Sequence, residues 1–147
     1  MSDPLDPFNL QRFVDAQAHS YDLALTELLN GEKHHHWIWF VLPQIQGLGH
    51  SDMARRYALT GAAEADAYWH HPVLGPRLQA CMRALEGHRG LSARDILGTP
   101  DDLKLRSCLT LFAQVVPPPS IFERLLERYF SADPDPRTLF ALGDGTA

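Results

Sequence analysis

Apolar residues recur at intervals of three and four along nearly the whole chain, and nowhere do they alternate over the length of a strand. Between Asn9 and Leu29 the series Leu10, Phe13, Val14, Ala18, Tyr21, Leu25, Leu28 and Leu29 predicts helix, with Asn9 as its cap and Gly31 as its stop. The Ala18-His19-Ser20 stretch predicts a break there, with Ser20 capping a second helix. Residues 36–42 form a short element, apolar all round and therefore buried, that Pro43 ends. Ser51 predicts the next helix start, Gly61 punctuates, and residues 62–69 follow as a further short helix. Pro72 is expected at the first position of a helix whose buried stripe is Leu74, Leu78, Cys81, Met82 and Leu85. Ser92 caps a small helix closed by Gly98. Thr99-Pro100-Asp101-Asp102 opens a longer one carrying Leu105, Cys108, Leu109, Phe112, Val115 and Val116 inward until the triple proline at 117–119. Ser120 caps a helix through Phe130, and residues 137–142 give a last helical piece. The pattern specifies an all-α bundle of about seven to nine short helices.

Composition fits that picture. At 147 residues, 45% hydrophobic and 21% charged, the chain is expected to be one globular domain over 1–147, with a core over about 6–142 and frayed ends at 1–5 and 143–147. A formal charge of −5 argues against a general nucleic-acid binder, which needs a basic footprint. The N-terminus carries no basic and apolar leader pattern, and the longest apolar run, Trp37 to Leu42, is too short to span a bilayer, so a cytoplasmic protein without membrane attachment is expected. Cys81 and Cys108 are too few for a disulfide framework and are expected to be reduced, buried thiols.

Candidate chemistry concentrates in residues 33–51, which hold two of three tryptophans, four of eight histidines and one of two lysines. Gly47 and Gly49 permit close approach of backbone to a ligand, and a helix starting at Ser51 would present free amides to an anion. The same glycines also serve a simple turn. His34, His35 and His36 are adjacent, diverge around a helix and have no third partner at ligand spacing, so no metal site is expected. His36, beside Trp37 and Trp39, is expected to be partly buried and is the candidate acid–base group, a backbone contact being its structural alternative. Trp37 and Trp39 serve either the core or a ligand wall, and Gln44 offers an amide that both donates and accepts. On the later helix, Asp101, Lys104, Ser107 and Thr110 share one slowly drifting face, so Lys104 and Ser107 offer a cation and a hydroxyl if that face turns inward. Eleven of the thirteen basic residues are arginine, which draws attention to the two lysines, Lys33 and Lys104.

The phrases DPFNLQRFVDAQ (6–17), Lys33 with His36-Trp37-Ile38-Trp39-Phe40, Pro43-Gln44, Gly47-Leu48-Gly49 with Ser51, His71-Pro72 and Asp102-Lys104-Leu105-Ser107 resemble a bacterial family of uncharacterised proteins over about residues 6–142. The resemblance implies a multihelical domain and transfers no catalytic role. The "calpastatin" label often attached to that family does not suit this chain, because such an inhibitor is polar, repetitive and disordered. Two functions follow from the residues: binding of a small anionic, nucleotide- or sugar-phosphate-like ligand by Lys33, Trp37, Trp39, Gln44, Gly47, Gly49, Ser51, Lys104 and Ser107, or a non-enzymatic helical module for a protein partner. No cofactor is called for. If a reaction occurs, hydrolase or glycosidase-like acid–base chemistry through His36 strains the residues least.

Overall fold

The computed structural model describes residues 4–143. Ten helices follow one another: α1 (Gln11–Gln17), α2 (Tyr21–Asn30), α3 (Ile38–Val41), α4 (Asp52–Arg56), α5 (Ala62–His70), α6 (Leu74–Glu86), α7 (Ala93–Leu97), α8 (Asp101–Val115), α9 (Ile121–Phe130) and α10 (Pro136–Gly143). Among the described residues there is no strand, only an isolated parallel bridge between Ile45 and Leu59. The protein is all-α, with slightly more helices than the pattern counted, because α3 and α4 are single short turns. No described helix is long and apolar enough to cross a membrane.

Capping chemistry sets several boundaries. Gly31 ends α2 in the left-handed conformation at φ 78°. Ser92 and Ser120 each accept the amide three residues on, while Asp95 and Glu123 return the contact as capping boxes. Several starts differ from expectation. Ser20 precedes α2 without a side-chain cap bond, and Pro100 rather than Thr99 is the residue before α8, with the Thr99 hydroxyl donating to Asp102 (2.8 Å). Asn9 does not cap α1; it takes φ 55°, and the Asp6 carboxylate accepts from the amides of Leu10 (2.7 Å) and Gln11 (2.9 Å). Pro72 precedes α6 rather than opening it, since the His71 ring accepts from the amides of Val73 and Leu74 and starts the helix two residues later.

The longest helix, α8, is the spine. Its buried face, Leu105 and Ser107 through Phe112, packs against α5, α7, α9 and α10. A file of rings crosses the interior: Phe40 on Tyr57 (5.3 Å between centroids), Tyr57 on Phe13 (5.7 Å), Phe13 on Tyr68 (5.1 Å), Tyr68 on Phe112 (5.8 Å), Phe112 on Phe122 (5.3 Å). Burial of these rings ties α1, α3, α5, α8 and α9 together across the interior. Cys81 and Cys108 are free and buried; burial pushes the Cys81 thiol up to about 12 and the Cys108 thiol upward too, so neither is a nucleophile. The frayed ends expected at 1–5 and 143–147 lie largely outside the described residues.

Candidate functional site

A cleft of about 460 Å³ opens between the 44–51 loop and the first turns of α8. Its loop wall is fixed from behind. Leu59 donates to the Gln44 carbonyl (2.9 Å) and accepts from Gln46 (2.8 Å), which pins the loop to the segment following α4. That segment is held in turn by Arg12, whose guanidinium donates to the carbonyls of Arg56 and Ala58 (2.9 Å each) and pairs with buried Glu64 (3.0 Å). Gly47 adopts φ 93°, and a Cβ at Gly49 would lie 2.8 Å from that of Ala54, so the turn folds back tightly on α4. Ser51 caps α4 by accepting from Ala54 at 3.1 Å. At five residues, with Asp52 in its first turn, α4 offers an anion much less than a long helix would.

The opposite wall is α8. Lys104 lines the cleft with its ammonium 4.9 Å from the centre of the Trp39 ring and 3.4 Å from Asp101. Ser107 also lines it, but its hydroxyl donates to buried Asp135 at 2.8 Å. Burial pushes the Asp135 carboxyl up, and donation from Thr138, Ser107 and the Arg137 amide overrides this and holds it below the usual range. Ser107 therefore works chiefly as the anchor of α10 on α8. The anchor places Arg137 at the rim, where its guanidinium donates to the Leu48 carbonyl (3.0 Å) and pairs with no described carboxylate. Tyr57 closes the floor. It is only 7% exposed, it lines the cleft, and no described group bonds its hydroxyl.

Six of the expected ligand-binding residues thus share one cleft: Trp39, Gln44, Gly47, Gly49, Ser51 and Lys104, with Ser107 present but committed. Lys33, His36 and Trp37 do not line it. His36 is exposed rather than partly buried, because the chain turns outward between α2 and α3. Trp37 is core, its indole donating to Glu27 at 2.9 Å. Lys33 is turned inward onto Asp101 at 2.8 Å. Among the described residues no group of histidines, cysteines and carboxylates is placed to hold a metal.

Glu27 is what the pattern did not reveal. It is buried in α2 and accepts from the amides of His34 (2.8 Å) and His35 (3.1 Å), the Trp37 indole and the His35 ring. Burial pushes its carboxyl up, and the four donors outweigh this and hold it at about 2. Tyr57, Arg137 and His50 are further lining residues that sequence reasoning did not select. Tyr57 is one aromatic ring in the short run between Ser51 and Gly61, and Arg137 gave no signal in an arginine-rich chain.

Comparison with known proteins agrees with this architecture. The family described as "Protein of unknown function (DUF1810)" matches residues 7–142. The chain belongs to that family. A crystal structure of a conserved hypothetical protein from Mycobacterium tuberculosis, Rv1873, is 46% identical, with 93% of this chain and 98% of that one covered and a TM-score of 0.91. The fold is therefore shared at close range with that protein. No curated protein matches.

Proposed function

We propose that the cleft of this DUF1810 protein binds a small anionic ligand, of nucleotide or sugar-phosphate type. One observation carries this. Lys104, Arg137 and His50 line the cleft, and none of its described lining residues is acidic, in a chain with more acidic than basic residues. Segregation of one sign of charge into a concave, partly apolar site favours an anion by focusing its field. The free Tyr57 hydroxyl and the Gln44 amide supply hydrogen bonds to neutral parts of the ligand, and Trp39 supplies a wall. No residue is assigned a catalytic role, His36 standing outside the cleft.

The test is a thermal-shift screen against nucleotides, sugar phosphates and simple oxyanions. A ligand at about a hundredfold its Kd stabilises the fold by roughly 2.7 kcal/mol. Lys104→Ala is expected to abolish the shift. Tyr57→Phe is expected to weaken it while leaving the unliganded protein within about 0.5 kcal/mol of wild type, since the hydroxyl has no partner among the described residues to lose. A screen without hits at millimolar concentration would refute the proposal.

A second function has an observation of its own. Leu103, which lines the cleft, is 55% exposed, and Phe140, in an adjoining depression that shares Gly47, Leu48 and Arg137 with it, is 82% exposed, as suits a protein-binding helical module. The two functions separate in the screen, because apolar rim contacts give no response to small anions.

A further inference from the structure

The chain's two lysines meet at one carboxylate. Lys33 Nζ lies 2.8 Å from Asp101 Oδ2, and Lys104 Nζ lies 3.4 Å from Asp101 Oδ1. Each ammonium also faces a tryptophan, Lys33 at 5.2 Å from the Trp37 ring centre and Lys104 at 4.9 Å from that of Trp39. The two ends of this array are not equivalent. The Lys33 side chain is 6% exposed and lies away from the cleft, whereas that of Lys104 is 28% exposed and lines it.

Two ammonium groups and one carboxylate leave one positive charge in excess. A buried ammonium without a counter-ion is strongly disfavoured, so Asp101 is committed to Lys33, as its shorter contact reflects. Asp101 is also the first residue of α8, so its carboxylate lies at the positive end of the helix dipole. The excess charge then resides on Lys104, at the longer contact and on the cleft side.

We infer that Lys33 is a positioning residue: by engaging Asp101 from the buried side, it keeps the Lys104 ammonium available to an oxyanion, such as a phosphate group, in the cleft. The inference rests on the anion-binding cleft proposed above. Lys33 touches no ligand in this scheme. It sets the charge that the ligand meets.

Because the sequence has only two lysines, protein labelled with ¹³C at lysine Cε gives one resonance for each, and inorganic phosphate is the probe. In the wild type the Lys104 resonance is expected to move on titration and the Lys33 resonance to stay. In Lys33→Met, Asp101 turns wholly to Lys104, the excess charge vanishes, and phosphate affinity falls roughly tenfold. Asp101→Asn added to Lys33→Met removes the competing carboxylate, restores the excess charge and returns affinity to the wild-type value. This last result separates charge accounting from simple structural damage, since a second mutation at a damaged site would not rescue it. Wild-type affinity in Lys33→Met, or a double variant as weak as the single, would overturn the role of Lys33. Should Lys33→Met not fold, the double variant, which lacks both partners of the buried pair, is compared directly with wild type. Equal affinity supports the inference and weaker affinity overturns it. A Lys104 resonance that ignores phosphate in the wild type removes the cleft proposal itself.

Discussion

A carboxylate in the interior of a small protein survives only if its lone pairs are filled, and Glu27 shows how this chain does it. Four N–H groups from His34, His35 and Trp37, within the four-residue span 34–37, converge on it, so one side chain of α2 fixes the path into α3. Its folded pKa of about 2 lies below the ordinary 4.5, so its contribution is fully present above pH 4.5 and is lost as pH falls from there towards 2. That difference corresponds to about 3 kcal/mol at neutral pH. Chemical denaturation at pH 6 and pH 3 is expected to show this loss in the wild type and a markedly smaller one in Glu27→Gln. Glu27→Gln should itself be less stable at neutral pH, because an amide cannot accept at every position the carboxylate does. Equal acid sensitivity of the two proteins would remove Glu27 as the cause. The same residue marks a limit of pattern reading. A glutamate one position from Leu28 reads as the wet face of α2, yet Glu27 is 5% exposed and Leu29 58%.

At the scale of elements, the local code was largely legible. Ser92, Ser120 and Gly31 cap where their chemistry says they should, because a cap needs only residues three or four apart. Starts that depend on a ring or a more distant carboxylate, as with His71 and Asp6, were not. How closely two helices approach was not legible either. At Gly75 a Cβ would lie 2.0 Å from the Trp69 carbonyl, so α6 leaves the end of α5 with no room for a methyl group. Gly75→Ala is expected to destabilise the protein by about 3 kcal/mol through forced separation of the two helices, even though alanine is the better helix former. Urea unfolding measures this directly; a neutral or stabilising substitution would mean that the junction yields at little cost.

At the scale of the whole molecule, the distribution of charge outweighs its total. The net charge of −5 repels anions at long range, while the cleft gathers Lys104, Arg137 and His50 without a described acidic neighbour in its lining. Binding of an anion there is expected to weaken as ionic strength rises, because the attraction is partly exposed and is screened over about 10 Å at 0.1 M salt. Titrations of the best ligand from the screen at increasing sodium chloride check this. Affinity independent of salt would point to apolar contacts with Trp39 and Leu103 instead.

The sequence by itself determined the helical class, many helix ends, the burial of the two cysteines and the Gly47–Gly49 turn ahead of the Ser51 cap. These rest on spacing, caps and burial propensity, which act over a few residues of chain. Tertiary structure alone decided which polar groups meet. Lys104 and Arg137 reach the 44–51 loop from elements some sixty and ninety positions along, as the contact of Arg137 with Leu48 illustrates. Lys33, eleven residues before Gln44 and adjacent to the histidines, is turned away from the cleft and onto α8. Proximity along the chain fixes neither the direction in which a side chain leaves a turn nor the charge it meets. Those follow from the packing of α8 against its neighbours, which settles where a buried ammonium finds its one carboxylate.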